Sequence, residues 1–269
     1  MAAATTTLKA VFEAVPTHPF TFSSSALGTV AVEDIHGNPV ASGAYIGEDA
    51  VLSVTATPNA NYALDKWTVS GGEIDNVVAT EISFIMGKED AATLSASFVP
   101  THSISITDPE NGTIKITNAL GYIVNSGASI GEGAVLNLRA KPVAGYAFKE
   151  WQLTSGNSVI ANPNAPITSL IMGTNDAVIK AIFVRAHTLT ITPPENGTIK
   201  VTNILDQSVS SPASIGEGAV LNLEASPSGG HTFDHWEVTS GDGTITDTTN
   251  ASTTFTMGNG DTTIRAIFN

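Results

Sequence analysis

The stretch AVIKAIF (Ala177–Phe183) carries Ile179, Ala181 and Phe183 at alternate positions. A period of two is the signature of a β-strand, whose successive side chains point to opposite faces. The phrase recurs as TTTLKAVF (Thr5–Phe12), ATLSASF (Ala92–Phe98) and TTIRAIF (Thr262–Phe268). Each copy reads apolar-x-Ala-x-Phe. Four copies of one strand make the chain a repeat array, and the rest of the sequence follows from that.

Trp67, Trp151 and Trp236 lie 84 and 85 residues apart, and other phrases keep the same spacing. IGEDAVLSVTA (Ile46–Ala56) answers IGEGAVLNLRA (Ile130–Ala140) and IGEGAVLNLEA (Ile215–Ala225). SFIM (Ser83–Met86) answers SLIM (Ser169–Met172) and TFTM (Thr254–Met257). In the middle copy the alternation predicts that Ile104, Ile106, Ile114, Ile116, Leu136, Leu138 and Ala140 face inward. Lys115 and its counterpart Lys200 face out, and Arg139 is exchanged for Glu224 as on a solvent face. Asn111-Gly112 predicts a hairpin turn between HSISIT (His102–Thr107) and TIKIT (Thr113–Thr117). A second hairpin is expected between TSLIM and AVIKAIF, and a short strand around Tyr122–Val124. Phe148 and Trp151 stand three apart, so a bulge or a single helical turn is needed to bring both rings inward. No ten-residue stretch has helical spacing. The expected fold is all-β: three tandem modules of about 85 residues, each with six or seven short strands, strung as a rod.

The expected boundaries are 1–16 for the last strand of a preceding repeat, then 17–100, 101–185 and 186–269 for three modules. The surplus strand phrase leads to the expectation, under either phasing, that the chain is an excerpt of a longer array. Each module could instead begin with that strand, which would move all boundaries by one strand. The joints are short and lack Gly/Ser linkers, so fairly definite angles between modules are expected.

Composition narrows the function classes. Eleven Lys and Arg against 25 Asp and Glu give a formal charge of −14, which disfavours nucleic acid and anionic membranes as partners. There is no cysteine, hence no disulfide, thiolate metal site or thiol nucleophile. No run of about 18 apolar residues is available to span a membrane.

The order of NGTIKI (Asn111–Ile116), VLNLRAKPVAGYAFKEW (Val135–Trp151), LIM (Leu170–Met172) and IKAIF (Ile179–Phe183) resembles the divergent internalin-type B-repeat of bacterial surface proteins. The resemblance covers nearly the whole chain in three copies. It implies an exported or wall-attached bacterial protein, extracellular, with modules in arrays that act as stalks or adhesive segments. It also implies a loosely β-grasp-like fold, but the place of the β-grasp helix is taken by VNSGASIGEGA (Val124–Ala134), too rich in Gly and Ser for one.

Candidate sites weigh toward structure. His18, His102 and His187 recur before the first strand of each module, with no second ligand at metal-like spacing. Glu48, Glu132 and Glu217 recur singly in the IGE turn, whereas glycoside chemistry needs a carboxylate pair. The loops Asp242–Asn250 and Gly258–Asp261 gather oxygens in one copy only. The three Trp residues read as core rather than as a sugar-stacking platform, because Val69, Leu153 and Val238 continue the apolar face at i+2. No catalytic, cofactor or metal residue is therefore expected. The expected function is a non-enzymatic stalk or presentation segment, a monomer whose partners are the neighbouring domains of its parent protein. The alternative is a binding module for host protein or glycan.

Overall fold

The computed structural model describes residue 9 and residues 13–269, so the first copy of the strand phrase, Thr5–Phe12, lies outside the described residues except for Lys9. The chain divides into two compact units, residues 1–101 and 102–269. Every regular element among the described residues is a strand.

The first unit holds β1 (Thr17–Ser23), β2 (Gly28–Glu33), β3 (Ala44–Gly47), β4 (Val51–Pro58), β5 (Tyr62–Ser70), β6 (Gly72–Ile74), β7 (Glu81–Met86) and most of β8 (Ala92–Ile106). They form two sheets, β5–β8–β1–β3 and β6–β7–β4–β2. The β1–β8 pair is parallel and the other pairs antiparallel. Between the sheets sits one core, which includes Phe20, Leu52, Val54, Trp67, Phe84 and Met86.

The second unit repeats this plan twice. Its strands are β9 (Gly112–Thr117), β10 (Ala128–Gly131), β11 (Val135–Pro142), β12 (Tyr146–Ser155), β13 (Val159–Ile160), β14 (Ile167–Ile171) and β15 (Ala177–Ile191). They continue with β16 (Gly197–Asn203), β17 (Ala213–Gly216), β18 (Val220–Pro227), β19 (Phe233–Ser240), β20 (Thr244–Ile245), β21 (Ser252–Thr256) and β22 (Thr262–Phe268). Sheets β13–β14–β11–β9 and β20–β21–β18–β16 each cover one core, running from Ile104 to Phe183 and from Leu189 to Phe268. The fifteen residues of β15 serve both, the first half pairing with β12 and the second with β17 and β22. The all-β reading holds, as a two-sheet sandwich repeated three times.

The strand phrase has a packing logic. Ala96, Ala181 and Ala266 lie directly opposite Trp67, Trp151 and Trp236 on the neighbouring strand. A large indole there leaves room only for a methyl group across the ladder. Phe98 lies opposite Leu64, Phe183 opposite Phe148, and Phe268 opposite Phe233. The expected bulge is present in each copy, between Leu64 and Lys66, Phe148 and Glu150, and Phe233 and His235. It brings the Phe148 and Trp151 rings within 5.8 Å.

Four local expectations are corrected. The segments around Asn111-Gly112 do not form a hairpin: β8 belongs to one sheet, and β9 pairs with β11 in the other. Strands β14 and β15 likewise lie in different sheets, so both connections cross the sandwich. Period-two alternation is the same whether a chain folds back in its own sheet or crosses to the facing one, so the pattern alone does not separate the two. Around Tyr122–Val124 there is a single bridge, Thr117 to Ile123, in place of a strand. Each module also draws on eight strands rather than six or seven, because the two- and three-residue strands β6, β13 and β20 and the four-residue β3, β10 and β17 are included.

Candidate functional site

The recurring residues are the place to look first. Trp67, Trp151 and Trp236 are 3%, 2% and 1% exposed, so none offers a face for a sugar to stack on. Trp67 Nε1 donates to the Ala79 carbonyl at 2.8 Å. Trp151 and Trp236 are held by packing, their indole nitrogens buried without a protein acceptor.

The recurring histidines gain a neighbour that sequence spacing hides. Pairing of β1 with β3 sets His18 opposite Ile46, and His18 Nε2 then lies 3.1 Å from Glu48 Oε1. His187 likewise lies opposite Ile215, two residues before Glu217. The two partners are 30 residues apart in the chain, and only strand register joins them. The Nε2 atoms of His102 and His187 are buried without a protein partner. No group of three or more His, Cys, Asp or Glu side chains converges among the described residues.

A second recurring contact was missed. Asp176 Oδ1 accepts from the Ser103 backbone N–H at 2.8 Å, and Asp261 Oδ1 from Thr188 N–H at 2.7 Å. These carboxylates satisfy backbone donors inside β8 and β15, one residue before the parallel ladders that start at Ile104 and Leu189. The first module has Pro19 at the matching position, which has no N–H to give. The Ser103 hydrogen bonds hold the Asp176 carboxyl below the usual aspartate range, with the nearby His102 adding a smaller pull. A depressed folded pKa means a contribution present above the unfolded value and lost as pH falls through the folded one. An NMR titration of the full chain from about pH 6 to about pH 2 should therefore move the Ser103 amide with a midpoint below that of an ordinary aspartate. A Ser103 amide that stays still would remove this assignment.

In the loops Asp242–Asn250 and Gly258–Asp261, Asp242 and Asp247 serve the loops themselves, while Asp261 reaches Thr188 as described above. Asp247 accepts from the Thr249 N–H and hydroxyl, which hold it below the usual range, and Asp242 accepts from Asn259 N–H at 3.1 Å. Lys115 and Lys200 are exposed, as expected of outward positions, and Lys200 Nζ lies 3.7 Å from Glu224 Oε2.

Within the second unit the repeats meet closely. A Cβ on Gly216 would stand 3.0 Å from both Ala147 Cβ and Val184 Cγ2, so glycine is what lets β17 approach the preceding repeat. Beside this contact runs a groove of about 1120 Å³, lined among others by Arg139, Lys141, Tyr146, Ile167 and Val220.

Among solved structures the chain is similar to the pilus adhesin SpaC from Lactobacillus rhamnosus GG, in its open conformation, with 10% identity and a TM-score of 0.24. That match covers 94% of this chain and 43% of the SpaC chain, so this chain spans less than half of it. A TM-score this low assigns no common fold. No curated protein matches the sequence. A family model described as the divergent InlB B-repeat domain matches residues 21–102, 102–186 and 187–269. With that match in three tandem copies, the chain belongs to the divergent InlB B-repeat family.

Proposed function

We propose that this chain is a non-enzymatic stalk or presentation segment of a bacterial cell-surface or secreted protein. The observation that carries this reading is the use made of the repeated residues. The recurring Trp, Met, Ala and Phe all go into three cores of the same design. Repetition is spent on making one sandwich three times, as suits a part whose work is to hold and extend. Each module of about 85 residues is large enough to keep a core without metal or disulfide. Extension under load is then resisted by ladder hydrogen bonds and by core burial, module by module.

Pulling the full chain from its ends tests the proposal. Three separate unfolding events are expected, each lengthening the chain by roughly 250–300 Å, the extended length of one module. One event releasing the whole length, or unfolding without a resolvable force peak, would overturn the stalk reading.

A further inference from the structure

The outward faces of the three smaller sheets differ in charge, although their registers match. In β9–β11–β14, Lys115 lies directly opposite Arg139, and Arg139 opposite Ile167. Lys141 follows on β11, opposite Thr113. The row Val135–Ile171–Val159 completes the face with exposed aliphatic side chains. No carboxylate stands at an outward position of these four strands, so the face carries three unneutralised positive charges.

The outer face of the first unit carries the opposite charge, but at other positions, since Ala31 and Thr55 stand where the second module has Lys115 and Arg139. There Ala31 lies opposite Thr55 and Thr55 opposite Glu81, while Glu33 stands on β2 opposite Ser53. The row Val51–Ile85–Glu73 again supplies exposed aliphatics, Val51 and Ile85, beside a third carboxylate. This face has three negative charges and no cation at an outward position. In the third module the same row reads Lys200–Glu224–Ser252, a neutral pair that closes on itself.

The segregation extends beyond these faces. Residues 17–100 carry ten acidic and two basic side chains, residues 101–185 five and six, and residues 186–269 nine and two. A formal charge of −14 thus conceals a middle module at +1 between two strongly acidic ones. Like charges directly opposite each other on a sheet are destabilising, so Lys115 beside Arg139 is a local cost that no carboxylate on the same face offsets, although Glu150 and Glu217 line the groove that Arg139 and Lys141 border. Breaches of a local rule of this kind mark functional surfaces. None of the outward positions on this face is aromatic, which argues against a sugar and for a partner offering carboxylates among aliphatic side chains.

We propose that the outer face of β9–β11–β14 docks onto the outer face of β2–β4–β7 of a second molecule of this chain. The partner face offers three carboxylates, Glu33, Glu73 and Glu81, to a face that carries Lys115, Arg139 and Lys141, and both faces add exposed aliphatic side chains, Val51 and Ile85 on one and Val135 and Ile171 on the other. Each molecule carries one face of each kind, so the contact is heterologous, joining unlike patches of two molecules. Three strands of five to eight residues present only about 300 Å² a side, well under a stable interface. The association is therefore weak. A dilute chain is a monomer, and contacts form where many copies are held close together, as on a surface, through raised effective concentration.

Sedimentation of the full chain up to about millimolar concentration tests this, with three variants whose changes all lie at exposed outward positions. Variant one is Lys115→Glu with Arg139→Glu, and variant two is Glu33→Lys with Glu81→Lys. Variant three exchanges Lys200→Glu with Glu224→Lys on the neutral face. The wild-type mean mass should rise with concentration, and less so when salt is raised to about 0.5 M, where screening shortens to a few ångströms. Variants one and two should each associate at least about tenfold more weakly. Mixed together, they should associate again, while variant three should behave as wild type. Variant two is the sharpest arm, because it lowers the net negative charge and would enhance any association governed by net charge alone. A wild-type chain monomeric at millimolar concentration, an unchanged or enhanced variant two, or a mixture no better than its components would each overturn the proposal.

Discussion

Replacing Trp151 by alanine should destabilise the second module by about 3–5 kcal/mol, the range for emptying a large aromatic site in a core. The ring is 2% exposed and lies opposite Ala181, whose methyl group cannot swell to fill the space. The same core includes Leu138 from one sheet and Phe183 from the other, with Met172 just past β14. A cavity at this point therefore separates the sheets instead of being closed by one side chain. Scaled to a module of this size, a loss of 3 kcal/mol or more lowers the midpoint by more than about 12 °C. Calorimetry of the full chain should show one transition pulled away from the others by at least that amount. A shift of only a few degrees would mean that the ring contributes no more than a surface residue, and would reopen the sugar-platform reading of the three tryptophans.

The sequence made the core legible and the wiring illegible, for one physical reason. Period-two patterning reports which side of a strand is buried, so it places Leu136, Leu138, Ile116 and the Ala-x-Phe phrases inward, and Leu136, Leu138, Ile116 and the three described phrases pack there. It does not report which sheet a strand joins. A chain that turns back beside itself and a chain that crosses to the opposite sheet bury the same alternate residues. The two expected hairpins failed on that point. Long-range register was equally hidden: His18 and Glu48 recur with a constant spacing, yet only the β1–β3 ladder makes them partners. The charged faces were visible in part. The exchange of Arg139 for Glu224 reads from sequence as a tolerant solvent position. It takes the β9–β11 register to set Lys115 beside Arg139, and so turn a substitution into an uncompensated pair of cations.

Gly112 shows how a residue can be noticed for one reason and needed for another. The Asn111-Gly112 pair suggested a turn with both residues at positive φ. Asn111 does adopt φ 65°, but Gly112 is not among the positive-φ residues and opens strand β9. Its requirement is spatial. A Cβ built on Gly112 would stand 2.4–2.6 Å from the Phe183 ring, the ring that closes the Ala-x-Phe phrase. The same collision awaits Gly28 with Phe98 and Gly197 with Phe268, so the device recurs in every module. The glycine leaves a flat patch of backbone on one sheet, and the aromatic of the facing sheet lies over it. Gly112→Ala should accordingly cost about 1–3 kcal/mol through overpacking, and Gly112→Val more, since a branched side chain cannot tilt away. Phe183→Ala alone should cost about 3–5 kcal/mol. In the double variant the new methyl group enters the space that the ring has left. The double loss should then fall short of the sum of the two single losses by about 0.5–3 kcal/mol, the range for residues in direct contact. Denaturant unfolding of the four full-length chains measures all the terms of this cycle. Additive losses would show that Gly112 and Phe183 stabilise the module separately, and that the recurring glycine serves the turn after all.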